Sequence, residues 1–281
     1  MRTIYKKINI RGELYDLSTT RIMGVINVTP DSFYSGSRIG SDAEIIKCVE
    51  EMLDAGADIL DIGGYSSRPG ADHIKEEEEL ERIIRALKII RKRFPPAVIS
   101  LDTFRSNVAD IGIRNFGVDM VNDISAGSID KEMFNVIEKH NVPYVLMHMK
   151  GNPQNMQLNP VYNDLLPDII KWFSEKKQEL VLRGVRDIII DPGFGFGKKI
   201  EHNFELLNKL ERFDILGLPV LVGLSRKSMI WKTLNISPEE SLIGTVVLNT
   251  IALLKNVSIL RVHDVPEAVQ AVKLVSQLKS I

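Results

Sequence analysis

Polar residues that could do chemistry lie at, or directly after, the C-terminal ends of most of the short apolar runs in this 281-residue sequence. They are Asn27, Asp61, Asp102, Asn122, Asp123, His148, Asp191, Lys227, Arg261 and His263. A single Asp or Asn at such a position commonly caps the next helix or closes a turn, and this is the simpler interpretation of Asp61 and Asp123. We interpret His148, which lies between two methionines, as a buried structural histidine. Taken together, however, so many charged and amide groups would repel one another or stay unpaired unless they bound a ligand.

The candidate residues separate into two chemical sets. One set contains cations suited to phosphate oxygens, since a guanidinium donates two parallel hydrogen bonds. Its members are Arg68, Arg226, Arg261 and His263. The other set combines donors and acceptors, as the edges of a flat heterocycle require. Its members are Asp102, Asn122, Asp191 and Lys227. A ligand that joins a heterocycle to a phosphate group would satisfy both sets.

Other catalytic motifs are incomplete in this sequence. No two histidines have the spacing of a zinc site. The glycine-rich stretch 193–199 lacks the Gly-Lys-Ser/Thr ending of a Walker motif. Ser225 lacks the second glycine of a nucleophile elbow, so we do not expect it to be a covalent nucleophile.

The candidate residues lie on a series of predicted strands, each part of a repeated βα unit. Eight apolar runs rich in Ile, Val and Leu occupy residues 22–28, 58–62, 98–102, 120–124, 144–149, 188–191, 220–224 and 259–262. Each is followed by polar or glycine residues and, in most cases, by a longer segment of helical period, which is typical of βα units. Because the runs are continuously apolar rather than alternating, we expect parallel strands covered on both faces.

Eight units predict an α/β fold: a single (β/α)₈ TIM barrel over residues 21–281. Residues 1–20 form an N-terminal extension, with a short hairpin around Arg11 and Gly12 that covers the barrel bottom. Chemistry then belongs at the C-terminal ends of the strands. A doubly wound open sheet is the alternative, but the turn after the first run lacks its glycine fingerprint.

Helix boundaries can also be read from the sequence. Ser41 with Glu44, and Ser237 with Glu240, have capping-box spacing and predict two helix starts. Residues 75–94 have helical apolar spacing, with acidic residues first and basic residues last, as the helix dipole favours. The glycines that we expect to end helices are Gly56, Gly117 and Gly184.

The charge composition of the chain indicates which kinds of molecule it binds. The chain has 36 Lys and Arg against 37 Asp and Glu, a formal net charge of −1. Such a balance gives no general field to attract nucleic acid or an anionic membrane, so we expect small-molecule substrates. The single cysteine, Cys48, cannot form an internal disulfide, which is typical of a reducing compartment. Without a signal-peptide core or a bilayer-length apolar stretch, the chain is expected to be cytoplasmic.

Six sequence blocks lie in order between Met23 and Val265. They read GVINVTPDSF (24–33), GGYSSRPGA (63–71), LMHMKGNP (146–153), DPGFGFGK (191–198), SRKSMI (225–230) and RVHDV (261–265). Together they resemble the bacterial dihydropteroate synthase family. The resemblance implies condensation of 6-hydroxymethyl-7,8-dihydropterin diphosphate with p-aminobenzoate, giving 7,8-dihydropteroate and pyrophosphate in folate biosynthesis. It also implies Mg²⁺, a homodimer and inhibition by sulfonamides.

The resemblance also implies roles for individual residues. Pterin binding falls to Asp102, Asn122, Met147, Asp191, Phe196 and Lys227. Diphosphate binding falls to Asn27, Ser67, Arg68, Arg261 and His263, with Asn27 also a ligand of Mg²⁺. The p-aminobenzoate and sulfonamide pocket falls to Phe33, Ser66, Ser67, Pro69, Lys227 and Ser228. The residues expected to act in catalysis are Asp102, Lys227, Arg261 and His263, with departure of pyrophosphate before, or nearly before, attack of the amine.

Two residues differ from the family pattern, and three other functions are also compatible with parts of the sequence. The family often has an acidic residue where this chain has Tyr65, and an aspartate where it has Ser35. A pterin-binding methyltransferase is an alternative, although a methyl donor brings no diphosphate for Arg68, Arg261 and His263. A catalytically silent pterin-binding protein is a second. A sugar-phosphate aldolase or isomerase would explain the cations but not the set Asp102, Asn122 and Asp191.

Overall fold

A parallel sheet, nearly closed as a barrel, forms the centre of the computed structural model, which describes residues 6–29, 41–66, 73–153, 156 and 160–280. A two-stranded antiparallel hairpin precedes it, made of β1 (Lys7–Ile10) and β2 (Glu13–Asp16). The eight barrel strands are β3 (Arg21–Asn27), β4 (Ile59–Gly63), β5 (Val98–Asp102), β6 (Met120–Asp123), β7 (Tyr144–Met147), β8 (Ile188–Asp191), β9 (Leu221–Val222) and β10 (Ile259–Val262). Each strand overlaps one of the eight predicted runs, although β7 and β9 are shorter than predicted.

The strand order is β8-β7-β6-β5-β4-β3-β10-β9, with every pair parallel. A single bridge between Ile190 and Val220 joins the two ends of this sheet. Together with the surrounding helices, this arrangement confirms the TIM barrel. It also brings the C-terminal ends of all eight strands to one rim.

Helices surround the sheet. They are α1 (Asp42–Asp54), α2 (Glu76–Arg93), α3 (Ser106–Phe116), α4 (Met133–His140), α5 (Leu165–Leu182), α6 (Ile200–Asn208), α7 (Ser228–Leu234), α8 (Leu242–Leu254) and α9 (Val265–Lys279). None of the helices in the described part of the chain is long and apolar enough to cross a membrane.

Most predicted helix boundaries are confirmed. Ser41 and Glu44 form the reciprocal bonds of a capping box at the start of α1. The helix predicted over 75–94 is α2. The three predicted terminal glycines adopt φ values of +100°, +60° and +84°. Ser237 and Glu240 also bond reciprocally, but they begin a short 3₁₀ turn (Glu239–Ser241) that leads into α8.

The pleat of the strands separates two cores. Outward residues such as Leu60, Leu101 and Ile190 pack against the helices in the main core. Inward residues form a separate core at the barrel bottom, which contains Met23, Ile59, Met120, Val145, Ile189, Leu221 and Ile259. Both faces are therefore buried, which explains the continuously apolar runs.

The next inward position on a strand is two residues further towards the C-terminal rim. Five strands carry the candidate residues Asp61, Asn122, Met147, Asp191 and Arg261 there, two residues after Ile59, Met120, Val145, Ile189 and Ile259. The inner face of the barrel thus changes from an apolar lower layer to a mostly polar upper layer within one pleat.

The N-terminal hairpin covers the barrel bottom, as predicted. Ile8, Ile10 and Leu17 belong to the same core as the inward residues of the lower layer. The turn of the hairpin is held by Arg11, whose Nε and Nη2 donate to the two oxygens of Asp119 at 2.6 and 2.9 Å. The bottom of the barrel is therefore sealed, and only the opposite end can admit a ligand.

Candidate active site

Arg261 is held by two carboxylates at the mouth of the barrel. From the end of β10, its Nε donates to Asp61 Oδ2 at 2.6 Å and its Nη2 donates to Asp102 Oδ2 at 2.6 Å. Asp61 Oδ2 also accepts from Asn122 Nδ2 at 3.0 Å. Four strands thus contribute to one hydrogen-bonded network, with Arg261 as its cation.

The structure corrects the interpretation of Asp61 as a helix cap. Its side chain is fully buried inside the barrel and serves Arg261 and Asn122. Its Oδ1 has no hydrogen-bond partner among the described residues. Asp123 does close a turn, because it accepts from the backbone N–H groups of Ser125 and Gly127. The pleat could have distinguished them: Asp61 lies in phase with the inward residue Ile59, whereas Asp123 follows the inward residue Asn122.

Burial and charge act in opposite directions in this network. Burial raises the pKa of Asp102, against the attraction of Arg261, and the nearby Asp61 raises it further. Burial acts to lower the pKa of Arg261, but Asp61 and Asp102 outweigh it and the pKa is raised. Arg261 is therefore a permanent cation, while Asp102 can change its charge more easily than an ordinary carboxylate.

Asp191 and Lys227 form a second polar centre beside the first. Asp191, at the end of β8, is buried and accepts from the N–H of Gly193 at 2.8 Å. Lys227 donates from Nζ to the Phe194 carbonyl, and Nζ lies 5.0 Å from the centre of the Phe196 ring. Burial lowers the pKa of Lys227 to about 8, against the attraction of Asp191.

Gly223 leaves room between the two centres. A Cβ atom at this glycine would lie 3.8 Å from Lys227 Nζ and 3.9 Å from Arg261 Cδ. Lys227 and Arg261 therefore flank the same small residue, and the two predicted chemical sets share one barrel mouth.

An apolar cluster lines part of the same rim. It contains Tyr65, Phe104, Ile124 and Met147, with Ile74, Met149 and Phe196 packed against it. The two residues expected to be apolar walls, Met147 and Phe196, are thus brought together.

Lys198 is a buried residue that sequence reasoning missed. Its Nζ donates to the carbonyls of His148, Gly193 and Phe196 at 3.1, 2.9 and 2.9 Å. His148 Nδ1 is 3.1 Å from the same nitrogen. Burial lowers the pKa of His148 to about 2, so its imidazole is neutral, and Nδ1 shares the three ammonium hydrogens with the carbonyls. Lys198 thus joins the loops after β7 and β8, and His148 is a buried structural residue, as expected.

The joined loops approach too closely for a side chain at Gly193. This residue has φ +70°, and a Cβ atom there would lie 2.0 Å from the His148 carbonyl oxygen. The glycine-rich run 193–197 is therefore a backbone turn that presents carbonyls to lysines. One feature of the sequence could have identified Lys198. It directly follows the glycine-rich stretch 193–197, but no Ser or Thr comes after it, as a phosphate-binding loop would require.

The predicted anion-binding residues are only partly within the described chain. Asn27 ends β3, and a Cβ atom at Gly63 would lie 3.6 Å from its Oδ1 and 3.5 Å from Asp102 Oδ2. Asn27 and Asp102 therefore flank one glycine.

The remaining predicted residues are only partly described. His263 follows β10, with Nδ1 3.0 Å from Ser225 Oγ. Ser228 begins α7, directly after Lys227. The predicted residues Phe33, Ser67, Arg68 and Pro69, and the departure at Ser35, lie outside the described residues.

Arg226, expected among the phosphate-binding cations, is paired with a carboxylate of the chain. Its Nε and Nη2 donate to the two oxygens of Asp264 at 3.0 and 2.7 Å, and its Nη1 donates to the carbonyls of Pro238 and Glu239. The guanidinium therefore ties the loop after β9 to the loop after β10 and to the turn before α8.

A buried ion pair supports the loop after β4. Glu79 of α2 accepts from Thr103 Oγ1 at 2.6 Å and from Arg105 Nη1 at 2.7 Å. The Arg105 guanidinium lies 5.6 Å from the centre of the Tyr65 ring, and Tyr65 Oη lies 3.2 Å from His73 Nδ1. Tyr65 thus packs against Arg105 and Phe104 and contacts His73.

Comparison with known proteins identifies this architecture. The family model described as pterin binding enzyme matches residues 23–263. Dihydropteroate synthase of Escherichia coli strain K12 is 40% identical over 271 residues, which are 96% of this chain and 95% of that protein. Dihydropteroate synthase of Yersinia pestis in a sulfonamide drug complex has a TM-score of 0.92 at 38% identity, covering 98% of this chain and 99% of that one.

A third relative comes from Xanthomonas albilineans. Its dihydropteroate synthase with 4-aminobenzoic acid has a TM-score of 0.88 at 33% identity, covering 98% of this chain and 99% of that one. The matches extend over nearly the whole chain and include both polar centres. The chain therefore belongs to the dihydropteroate synthase family of pterin-binding enzymes and is an enzyme of folate biosynthesis.

Proposed function

We propose that the enzyme condenses 6-hydroxymethyl-7,8-dihydropterin diphosphate with p-aminobenzoate, giving 7,8-dihydropteroate and pyrophosphate. One observation carries this proposal: the Asp191 and Lys227 centre and the Arg261 centre share the open mouth of the barrel, next to Gly223. A heterocycle joined to a diphosphate has the same two parts. The relative bound to 4-aminobenzoic acid supports the second substrate.

The Asp191 side fits a pterin. A carboxylate accepts two parallel N–H bonds, and the 2-amino and N3 groups of a pterin present such a pair. Asn122 would bind a neighbouring edge, and Lys227 would donate to the ring carbonyl and N5. Met147 and Phe196 would provide apolar walls for the flat ring, since both belong to or pack against the rim cluster.

The other side fits the leaving group. Arg261 and His263, with Asn27, Ser67 and Arg68, would bind the diphosphate oxygens and stabilise the charge that they gain. The C–O bond to the pterin methylene breaks, and its electron pair leaves on the diphosphate. Asp102 would stabilise the positive charge left on the pterin. The amine nitrogen of p-aminobenzoate then forms the new C–N bond and loses a proton to solvent.

Magnesium fits the donor set at this end. Asn27 offers an amide oxygen, a hard donor of the kind that Mg²⁺ accepts, and Mg²⁺ usually keeps waters and shares phosphate oxygens with few protein ligands. Bound there with the substrate, Mg²⁺ would neutralise charge on the diphosphate. Arg261 stays cationic on its own, held by Asp61 and Asp102.

The second substrate would bind beside Lys227. We assign its pocket to Phe33, Ser66, Ser67, Pro69, Lys227 and Ser228. Sulfonamides, which mimic p-aminobenzoate, would compete for the same pocket, in keeping with the Yersinia pestis complex. A cytoplasmic location is proposed with this activity and is in keeping with the single cysteine, Cys48.

A homodimer is proposed on an exposed apolar face. On α8, Ile243 and Val247 are 78% and 51% exposed, with Ile251 and Leu254 on the following turns. Leu274 and Leu278 of the adjacent α9 are also exposed. A face of this kind on neighbouring helices is typical of contact between subunits. A second copy of the chain would bury it symmetrically.

Turnover tests the reaction. Purified protein with the pterin diphosphate, p-aminobenzoate and Mg²⁺ should release pyrophosphate and form dihydropteroate in equal amounts, measured by mass spectrometry. Chelation of the metal should stop both, and addition of Mg²⁺ should restore them. No pteroate at saturating substrates would refute the reaction, and full activity in the presence of chelator would refute the metal.

A further inference from the structure

Ser225 and His263 make two contacts through one hydroxyl group. Ser225 Oγ accepts from the backbone N–H of His263 at 3.3 Å and lies 3.0 Å from Nδ1 of the same histidine. The serine is buried, at 6% exposed. Within the described residues, its Oγ has no other hydrogen-bond partner.

Hydrogen counting gives a direction to the second contact. The backbone N–H can only donate, so the hydroxyl oxygen accepts there and keeps its single hydrogen for another acceptor. If Nδ1 carried a proton, the buried hydroxyl hydrogen would have no acceptor among the described residues, and a buried unsatisfied donor is costly. If Nδ1 is bare, the hydroxyl donates to it, and both the serine hydroxyl and Nδ1 are satisfied.

We propose that Ser225 is a positioning residue that fixes His263 in the tautomer with the proton on Nε2. Nε2 lies on the side of the ring away from Ser225. In this tautomer the imidazole can donate from Nε2 while it remains neutral, without becoming an imidazolium. Its acceptor would be an anionic oxygen of the kind that a diphosphate presents. This last step rests on the proposed function, whereas the tautomer itself does not.

The surrounding structure allows the hydroxyl to be removed without separating the two loops. Arg226 and Asp264 are the chain neighbours of Ser225 and His263, and they form their own two-bonded ion pair. This pair joins the same loops one residue further along. Ser225→Ala should therefore fold, and it removes only the donor to Nδ1.

The tautomer can be read directly. Nitrogen-15 spectra of protein labelled at histidine distinguish a bare ring nitrogen from one that carries a proton. The His263 signals are those that disappear in His263→Gln. At pH 8, where an ordinary imidazole is neutral, the wild type should have a bare Nδ1 and a protonated Nε2. A protonated Nδ1 in the wild type would overturn the proposal, whether or not any variant folds.

Two serine variants test the cause. Ser225→Ala should give a mixture of tautomers, while Ser225→Thr, which keeps a hydroxyl, should keep the wild-type pattern. An unchanged pattern in Ser225→Ala would also overturn the proposal.

Binding of inorganic pyrophosphate with Mg²⁺, measured by calorimetry, tests the functional step. Ser225→Ala should bind it about two- to tenfold more weakly, the range of one net hydrogen bond, and Ser225→Thr should bind it as the wild type does. Equal affinity in Ser225→Ala, with its tautomer changed, would refute the positioning role. A wild type that does not bind pyrophosphate at all would instead refute the proposed diphosphate site, and the spectra would still decide the tautomer.

Discussion

Arg261 and Asp61 form an ion pair inside the barrel, with 2.6 Å between Nε and Oδ2. Asp61 is fully buried, and among the described residues its side chain accepts from Arg261 and Asn122 rather than from the start of a helix. Its function is to hold the Arg261 guanidinium at the end of β10, so that Nη2 reaches Asp102. Asp61 therefore positions Arg261, the residue that we propose to bind the diphosphate.

Substitution Asp61→Asn should remove this charge and leave Arg261 less firmly held. We expect kcat/KM to fall at least tenfold and the free energy of unfolding to fall by about 2 kcal/mol, the scale of a hydrogen bond to a charged group. Steady-state kinetics and chemical denaturation measure the two effects. Asp58→Asn is a matched control, because Asp58 pairs with Arg21 at the barrel bottom. Loss of activity in the control but not in Asp61→Asn would contradict the assignment.

Lys227 should give the enzyme an alkaline limit. Its pKa is lowered to about 8 by burial, so the ammonium form is present below this pH and is lost as the pH rises through it. Because only the ammonium form donates fully to the pterin, the Kd for the pterin should be about tenfold higher at pH 9 than at pH 7. Calorimetry across this range measures the change. Lys227→Met should bind the pterin weakly at every pH. If the Kd of this variant still rose between pH 7 and pH 9, the titration would belong to another group.

Lys198 should control the shape of the turn that carries Phe194 and Phe196. Lys198→Met removes the donor to three carbonyls and should lower the free energy of unfolding by about 2 to 5 kcal/mol. It should raise the Kd for the pterin more than it changes kcat, because the turn shapes the pterin wall. Lys199→Met is the matched control, since Lys199 is the exposed neighbour. Equal effects of the two substitutions would show that the buried contacts of Lys198 carry no special role.

The α8 face should determine the oligomeric state. Val247→Glu places a charge in the centre of the apolar face and should convert a dimer into a monomer, as measured by analytical ultracentrifugation. Val181→Glu on α5 is the matched control, because Val181 is 53% exposed and Val247 is 51% exposed. A dimer that persists in Val247→Glu but dissociates in Val181→Glu would place the interface elsewhere.

The sequence was sufficient to predict the strands and most helix ends, because these depend on local rules. The continuously apolar runs, the Ser41 capping box and the terminal glycines each act within a few residues. The contacts of Asp61 and Lys198 could not be predicted in this way. Asp61 meets Arg261 200 positions away in the chain, and Lys198 meets His148 50 positions away.

The ion pair of Arg226 is a further contact that the sequence did not predict. The type and position of Arg226 predicted a phosphate ligand, but its nearest anion is Asp264, 38 positions away and brought close by barrel closure. A cation at a strand end can bind a substrate or a carboxylate of the next loop, and composition alone does not distinguish them.

The most direct test of the two-sided mouth is calorimetry of Asp191→Asn with two separate ligands, 6-hydroxymethylpterin and inorganic pyrophosphate with Mg²⁺. The amide removes the negative charge and turns an N–H donor towards the pterin edge. We predict that pterin affinity falls by a factor of about 30 or more, corresponding to the loss of a buried charged partner, while pyrophosphate affinity stays within about twofold, below half a kcal/mol. Unchanged pterin affinity, or an equal loss for both ligands, would contradict the division of the mouth into a heterocycle side and a diphosphate side.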